Sequence, residues 1–165
     1  MELQSTLENL AEVGVAITGF AGIVAVVAYS SAGSWGDEDR GNFRALVRWS
    51  LGAAFLAYLP IVLFTLDIPA VRSWRIANGV FAIFHGYIFY ETLARVRARA
   101  VRIPPSGALL FGLGVLVWGA EVAAAAGPLS FRAPAVYLVA VLWFLFLAAT
   151  RFLVLVRQHF ADPTA

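Results

Sequence analysis

Long apolar stretches alternate with short polar ones along the chain, and this pattern predicts the secondary structure. Each apolar stretch is near the length of about 20 helical residues that crosses a hydrocarbon core of roughly 30 Å. The five predicted spans are approximately 10–29, 46–66, 76–93, 108–126 and 134–156. Because backbone groups in lipid must bond within their own segment, each span is expected to be an α-helix.

Turn-forming and polar residues separate the spans. Prolines fall in or beside these connections, where a missing amide costs least, at Pro69, Pro104, Pro105, Pro128 and Pro134. Pro60 instead lies inside the second span and predicts a kink there. Ser5 and Glu8 match a capping box, so the first helix is expected to begin just outside the bilayer. The opening residues MELQSTLENLAE are acidic, so a cleavable signal peptide is not expected.

The arginines are distributed unequally between the two sides of the predicted membrane domain. Nine lie in or beside the first and third connections and the C-terminal end, and three (Arg72, Arg75 and Arg132) lie on the opposite side. Because cytoplasmic connections carry the excess of positive charge, the N-terminus is expected outside and the C-terminus in the cytoplasm. The sequence thus predicts one all-α integral membrane domain over residues 1–165, a bundle of five transmembrane helices.

Composition supports this class and excludes several kinds of chemistry. The chain is 61% hydrophobic and 13% charged, whereas soluble domains are about a quarter charged. Cysteine is absent, which excludes disulfides, thiolate metal sites and cysteine nucleophiles. All 12 basic residues are arginine, so no lysine can form a Schiff base with a substrate or with retinal. The net charge of +2 gives no indication of nucleic-acid binding.

Three small residues in the first span recur at four-residue spacing and form a thin ridge along one helix face. They are Gly14, Thr18 and Gly22. Such ridges let helix backbones approach closely in lipid. Two interpretations stay open: packing within one chain, or a subunit interface at the centre of a homo-oligomer.

The third span contains the stretch NGVFAIFHGYIFYET, in which Asn78, His85 and Thr92 are seven residues apart and share one helix face. His85 is expected near the bilayer midplane. It could be a neutral histidine bonded to a neighbouring helix, part of a proton relay or pore lining, or a haem or metal ligand. No second histidine lies at i+3 or i+4, and the only other one is His159, so no metal and no cofactor are predicted.

Three carboxylates lie in the predicted spans but away from this helix face. Glu12 and Glu121 are expected at similar depth in the outer leaflet, where they could share a proton, bind a cation, or pair with Arg75 or Arg132. Glu91 lies near the inner end of its span and is expected to pair with an arginine, and Arg48 and Arg151 also lie near inner helix ends. The candidate path for an ion or proton comprises Glu12, Asn78, His85, Glu91 and Glu121.

Two basic patches are expected to face anionic lipids at the cytoplasmic surface, each arginine contributing about 1 kcal/mol. The patches are Arg40, Arg44 and Arg48 in the first connection, and Arg95, Arg97 and Arg99 in the third. The sequence contains no nucleotide-binding loop, nucleophile motif or hydrolase carboxylate pair, so an enzyme is not expected.

The residues AEVGVAITGFAGIVAV, followed by W-x-x-x-D-R-x-x-F-R and a span ending in LAYLP, resemble a group of small uncharacterised bacterial inner-membrane proteins. The likeness covers about the first 60 residues. It implies a multi-pass protein of the bacterial cytoplasmic membrane and supplies no activity. The leading hypothesis from the sequence is an oligomeric channel-like or transport-like protein. The alternative is a non-transporting accessory subunit or lipid-binding scaffold of a membrane complex.

Overall fold

The computed structural model describes residues 2–32, 36–99 and 105–160, and these residues are almost entirely helical. The α-helices are α1 (Glu2–Ala32), α2 (Asp37–Thr65), α3 (Ala70–Arg99), α4 (Pro105–Ala126) and α5 (Ala133–Phe160), with a short 3-10 helix at Ser130–Arg132. The predicted all-α class is confirmed. Each predicted span lies within one helix, apart from residue 66, which follows the end of α2. The helix α2 continues through Pro60.

Four of the helices are long and apolar enough to cross a membrane. The stretches that qualify are Glu2–Val27, Asp39–Thr65, Gly107–Ala126 and Ser130–Arg157. Within the described residues α3 does not qualify, although its 30 residues extend about 45 Å. The polar side chains of Asn78, His85 and Glu91 lower the apolar character of this helix. Four of the five expected spans are therefore confirmed in length and composition, and a crossing by α3 stays a prediction.

The first helix starts earlier than its sequence indicates. α1 already includes Glu2, and the Ser5 hydroxyl donates to the Glu2 carbonyl oxygen at 2.9 Å. Ser5 therefore lies inside the helix and does not cap it, so the predicted capping box is wrong. Glu8 instead accepts a hydrogen bond from the Gln4 side-chain amide at 3.0 Å, one turn earlier on the same helix.

The chain divides into two compact units. The first unit comprises Met1–Tyr58 and Val141–Ala165, and the second comprises Leu59–Ala140. Buried alanines are prominent in the first unit, among them Ala11, Ala21, Ala53, Ala57 and Ala148. Small side chains of this kind allow helices to pack closely where lipid gives little hydrophobic driving force between them.

The second unit contains the end of α2, all of α3 and α4, the 3-10 helix and the start of α5. Its interior holds a series of edge-to-face aromatic contacts. Trp74 contacts Phe64 with ring centroids 5.5 Å apart, and Tyr137 contacts Trp74 at 5.8 Å and Phe81 at 5.4 Å. Trp74, Phe81 and Tyr137 are buried. These contacts fix the rotation of α3 about its own axis, and therefore fix which of its residues point inward.

Candidate functional site

The most unusual feature of the second unit is a buried pair of ionisable side chains on adjacent helices. The Nδ1 atom of His85, on α3, lies 3.0 Å from Oε1 of Glu121, on α4. The side chains are 2% and 0% exposed, respectively. The sequence pointed to both residues separately, and it left Glu121 to share a proton or a cation with Glu12 or to pair with Arg75 or Arg132. Its partner is instead the histidine of the neighbouring helix.

A stripe of glycines on α3 brings the two helices close enough for this bond. A Cβ placed on Gly86 would lie 3.3 Å from Nε1 of Trp118, and one on Gly79 would lie 3.6 Å from Cβ of Ala125. The indole N–H of Trp118 donates to the Ala82 carbonyl oxygen at 2.9 Å, which ties α4 to the backbone of α3. The glycines at seven-residue spacing therefore form the packing surface on which Glu121 can reach His85.

Aromatic rings surround the histidine. Phe89, one turn further along α3, stacks against the imidazole with centroids 4.7 Å apart and planes 23° from parallel. Phe89 also makes edge-on contacts with Phe111 and Trp118 of α4. In such an apolar environment a hydrogen bond is electrostatically stronger than in water, and an unsatisfied polar atom is more costly.

Only one of the two carboxylate oxygen atoms of Glu121 has a hydrogen-bond partner among the described residues. Oε1 meets the histidine, whereas Oε2 is buried and has no hydrogen-bond partner among the described residues. An imidazole and a carboxyl group in contact can hold their shared proton on either side, as an ion pair or as a neutral pair. The contact thus places an acid and a base side by side in the interior of the second unit.

Asn78 and Thr92 share the helix face of His85, but their side chains donate hydrogen bonds to backbone carbonyl groups and not to the His85–Glu121 pair. The Asn78 side-chain amide donates to the carbonyl oxygens of Trp74 at 2.8 Å and Ala133 at 3.1 Å, so it ties α3 to the start of α5. Its Oδ1 atom is buried without a partner in the described part of the chain. The Thr92 hydroxyl donates to the Ile88 carbonyl oxygen of its own helix at 2.8 Å.

Glu91 and Glu12 are less enclosed than Glu121. Glu91 accepts hydrogen bonds from Arg95 at 3.1 Å and from the Tyr87 hydroxyl at 2.9 Å. The expected pairing of Glu91 with an arginine is confirmed, with the partner one turn away on the same helix. Glu12 is exposed on α1. Of the five residues proposed as a polar path, the structure joins His85 to Glu121 directly.

The small-residue ridge of α1 is used within the chain at two of its three positions. A Cβ on Gly14 would lie 2.7 Å from the Ser50 carbonyl oxygen of α2. The hydroxyl groups of Thr18 and Ser50 are hydrogen-bonded at 2.6 Å. Among the described residues nothing lies within 4 Å of a Cβ placed on Gly22. Gly14 and Thr18 therefore serve packing between α1 and α2, while the Gly22 position is open.

The two arginine patches predicted to face the cytoplasm lie mostly at the surface. Arg40, Arg44, Arg95 and Arg97 are exposed and Arg48 is half-buried. Arg99 ends α3, and its side chain lies outside the described part of the structure.

Sequence reasoning missed two arginine contacts that hold helices together. Arg75 donates from Nε to the Ala125 carbonyl oxygen at 2.9 Å and from Nη2 to that of Ala126 at 3.2 Å, so it binds the C-terminal end of α4. In the first unit, Arg151 donates to Oδ1 of the buried Asn42 at 3.0 Å. A hint was available for Arg75, since it follows a short turn and could reach a neighbouring helix end, where carbonyl groups lack intrahelical partners.

No family model, curated protein or solved structure matches the chain. The described residues include no group of three or more His, Asp or Glu side chains that could hold a metal ion.

Proposed function

We propose that this is a small transport-like membrane protein in which the His85–Glu121 pair takes up and releases a proton. The observation that carries the proposal is the 3.0 Å contact between two ionisable groups that are almost completely buried. Ionisable groups inside a membrane are costly, and where they persist they commonly belong to ion or proton pathways. The unbonded Oε2 atom of Glu121 supports the same conclusion, because it offers a site for an incoming proton or water molecule.

In the proposed arrangement all five helices cross the membrane, with the N-terminus outside and the C-terminus in the cytoplasm. Support comes from the division of arginines, nine against three. The crossing by α3 is supported by its length and by the partners that its buried polar groups find within the chain. The exposed arginines of the two patches would then face anionic lipids of a bacterial inner membrane, as the resemblance of the first 60 residues implies.

The proposed path continues from the pair along α3. Asn78 lies about two turns before His85 and Glu91 almost two turns after it, so polar groups are distributed over much of the helix. The assignment of Glu12 to the path and of α1 to a homo-oligomer interface comes from the sequence and stays part of the proposal. The proposal assigns proton exchange to the pair and assigns a catalytic role to no residue.

Proton flux in liposomes tests the proposal. The purified full-length chain is reconstituted around a pH-sensitive dye, and a potassium diffusion potential drives protons inward. We expect flux above that of empty liposomes, and we expect His85→Gln and Glu121→Gln to abolish it. Asp67→Asn is the matched control, because Asp67 is an exposed carboxylate in a turn with a φ of 55°, which asparagine also adopts. Wild-type flux no greater than that of empty liposomes would refute the proposal.

A second candidate function is a non-transporting accessory subunit or scaffold. It is favoured by the number of polar contacts that simply tie one helix to another, such as those of Asn78, Trp118 and Arg75. If His85 and Glu121 are also just a tether, the double variant His85→Phe/Glu121→Leu should fold and assemble like the wild type. A stable double variant together with absent wild-type flux would favour the scaffold. Flux that is present in the wild type and lost in a stable double variant would exclude it.

A further inference from the structure

An open cavity of about 530 Å³ lies where α3 begins and α4 ends, all within the second unit. This volume is in the range of about 300–1,000 Å³ that is typical of ligand sites. Its lining residues are Pro69, Val71, Arg72, Arg75, Ile76 and Ala125. The cavity thus combines apolar walls with two guanidinium groups, and it is separate from the His85–Glu121 pair.

Both arginines have guanidinium N–H groups that could donate hydrogen bonds to a ligand. Arg75 uses two of its five N–H groups on the carbonyl oxygens at the end of α4, which holds its guanidinium in place and leaves three. Arg72 is exposed, and no carboxylate among the described residues forms an ion pair with either arginine. Arg72 also lies in the first turn of α3, where the helix dipole favours negative charge. The charge of the cavity is therefore available to an anion.

The position of the cavity relative to the apolar stretches indicates what kind of anion. The stretch of α4 that is long and apolar enough to cross a membrane ends at Ala126, directly after the lining residue Ala125. The corresponding stretch of α2 ends at Thr65, four residues before Pro69. The cavity accordingly lies at the level where apolar surface gives way to polar connections. At this level phospholipid headgroups meet a membrane protein, with their acyl chains alongside the apolar stretches.

We infer that this cavity binds one anionic phospholipid. The phosphate group is held between Arg72 and Arg75, which matches the preference of guanidinium groups for phosphate oxygens. The upper part of an acyl chain lies along Val71 and Ile76. The site is distinct from the cytoplasmic arginine patches, which are expected to attract anionic lipids by charge without an enclosing cavity.

Native mass spectrometry of the full-length protein in detergent, titrated with defined lipids, tests the inference. We expect phosphatidylglycerol to be retained in preference to zwitterionic phosphatidylcholine. Arg72→Gln should lower the affinity for phosphatidylglycerol about fivefold, as expected for the loss of one arginine near a lipid surface. Arg132→Gln is the matched control, because Arg132 is an exposed arginine of the same unit that does not line the cavity, and it should leave the affinity unchanged.

Two further arms distinguish a lipid site from attraction by charge alone and from a site for free phosphate. Val71→Trp keeps the charge but fills the cavity, and it should reduce phosphatidylglycerol binding as strongly as Arg72→Gln. Inorganic phosphate should fail to displace the lipid, because it lacks the acyl chain. The inference would be overturned if Arg72→Gln and Arg132→Gln lost equal affinity for phosphatidylglycerol, or if Val71→Trp bound this lipid fully. It would also be overturned if phosphatidylcholine were retained equally well, or if inorganic phosphate displaced the lipid. Arg75→Gln is less informative, since it also releases the end of α4.

Discussion

Adding one methyl group to Gly14 should separate α1 from α2, and the structure allows the size of the effect to be worked out. A Cβ at this position would lie 2.7 Å from the Ser50 carbonyl oxygen, 3.2 Å from Cβ of Ala54 and 3.3 Å from Cδ2 of Leu145. Leu145 can rotate away, but a backbone carbonyl group inside a helix cannot. The helices themselves must therefore move apart.

Destabilising and stabilising contributions together decide how Gly14→Ala changes the free energy of unfolding. Overpacking costs about 1–3 kcal/mol, and any lengthening of the 2.6 Å hydrogen bond between Thr18 and Ser50 adds part of the roughly 0.6–1.7 kcal/mol that such bonds contribute in membranes. The better helix propensity of alanine offsets about 1 kcal/mol. We expect a net loss of about 1–2 kcal/mol in the free energy of unfolding.

Gly22→Ala is the matched control, since it makes the same change two turns along the same helix. Nothing described lies within 4 Å of its new Cβ, so the gain in helix propensity is unopposed. Unfolding of both variants by sodium dodecyl sulfate in mixed micelles, followed by circular dichroism, gives the comparison. Gly14→Ala should unfold at a lower detergent fraction than the wild type and Gly22→Ala at an equal or higher one. A Gly14→Ala protein as stable as Gly22→Ala would refute the reasoning.

Three further predictions concern single positions. Gly22→Leu should eliminate the cross-linked dimer if the proposed homo-oligomer uses the open part of the α1 ridge, and an unchanged cross-linking pattern would contradict that interface. Trp118→Phe removes the donor to the Ala82 carbonyl oxygen and should lower the free energy of unfolding by about 0.6–1.7 kcal/mol, measured in the same micelles; an unshifted transition would show that the bond contributes nothing. Arg75→Gln should speed amide hydrogen exchange in the last turn of α4 by about fivefold or more, corresponding to about 1 kcal/mol for the lost bonds, and unaltered exchange would disprove this anchoring role.

The presence of each helix could be predicted from the sequence, because it depends on the run of apolar residues within that segment. A run of about 20 apolar residues in lipid has one backbone solution, so the position of each helix follows from the residues inside it. The glycine stripe of α3 could be recognised for the same reason, since Gly79 and Gly86 share a face whatever lies beside them. Helix ends depend less on this pattern, and α1 begins earlier than the Ser5 pattern indicates.

The partners of polar residues could not be predicted, because they depend on how each helix is rotated against its neighbours. The hydropathy pattern predicted how deep Glu121 lies in the membrane, but it did not predict the direction in which its side chain points. Charge complementarity made Arg75 and Arg132 possible partners, yet Arg75 binds the carbonyl oxygens at the end of α4. Close packing at Gly86 determines the outcome, since it sets α4 against the face of α3 from which His85 projects.

α3 has a lower mean hydropathy than the other helices because of its polar residues, and two of these residues bind the neighbouring helices α4 and α5. Asn78 reaches the start of α5, and His85 reaches α4, which in turn donates to α3 through Trp118. In lipid, a polar group without a partner costs several kcal/mol, whereas one that is bonded to another helix is tolerated. The composition of α3 is therefore compatible with a membrane interior as long as α4 and α5 lie beside it. By the same reasoning, Oδ1 of Asn78 and Oε2 of Glu121 are exceptions on these two helices, because both atoms are buried without a partner among the described residues. The proton exchange proposed for the His85–Glu121 pair would give the unpaired atom of Glu121 a role.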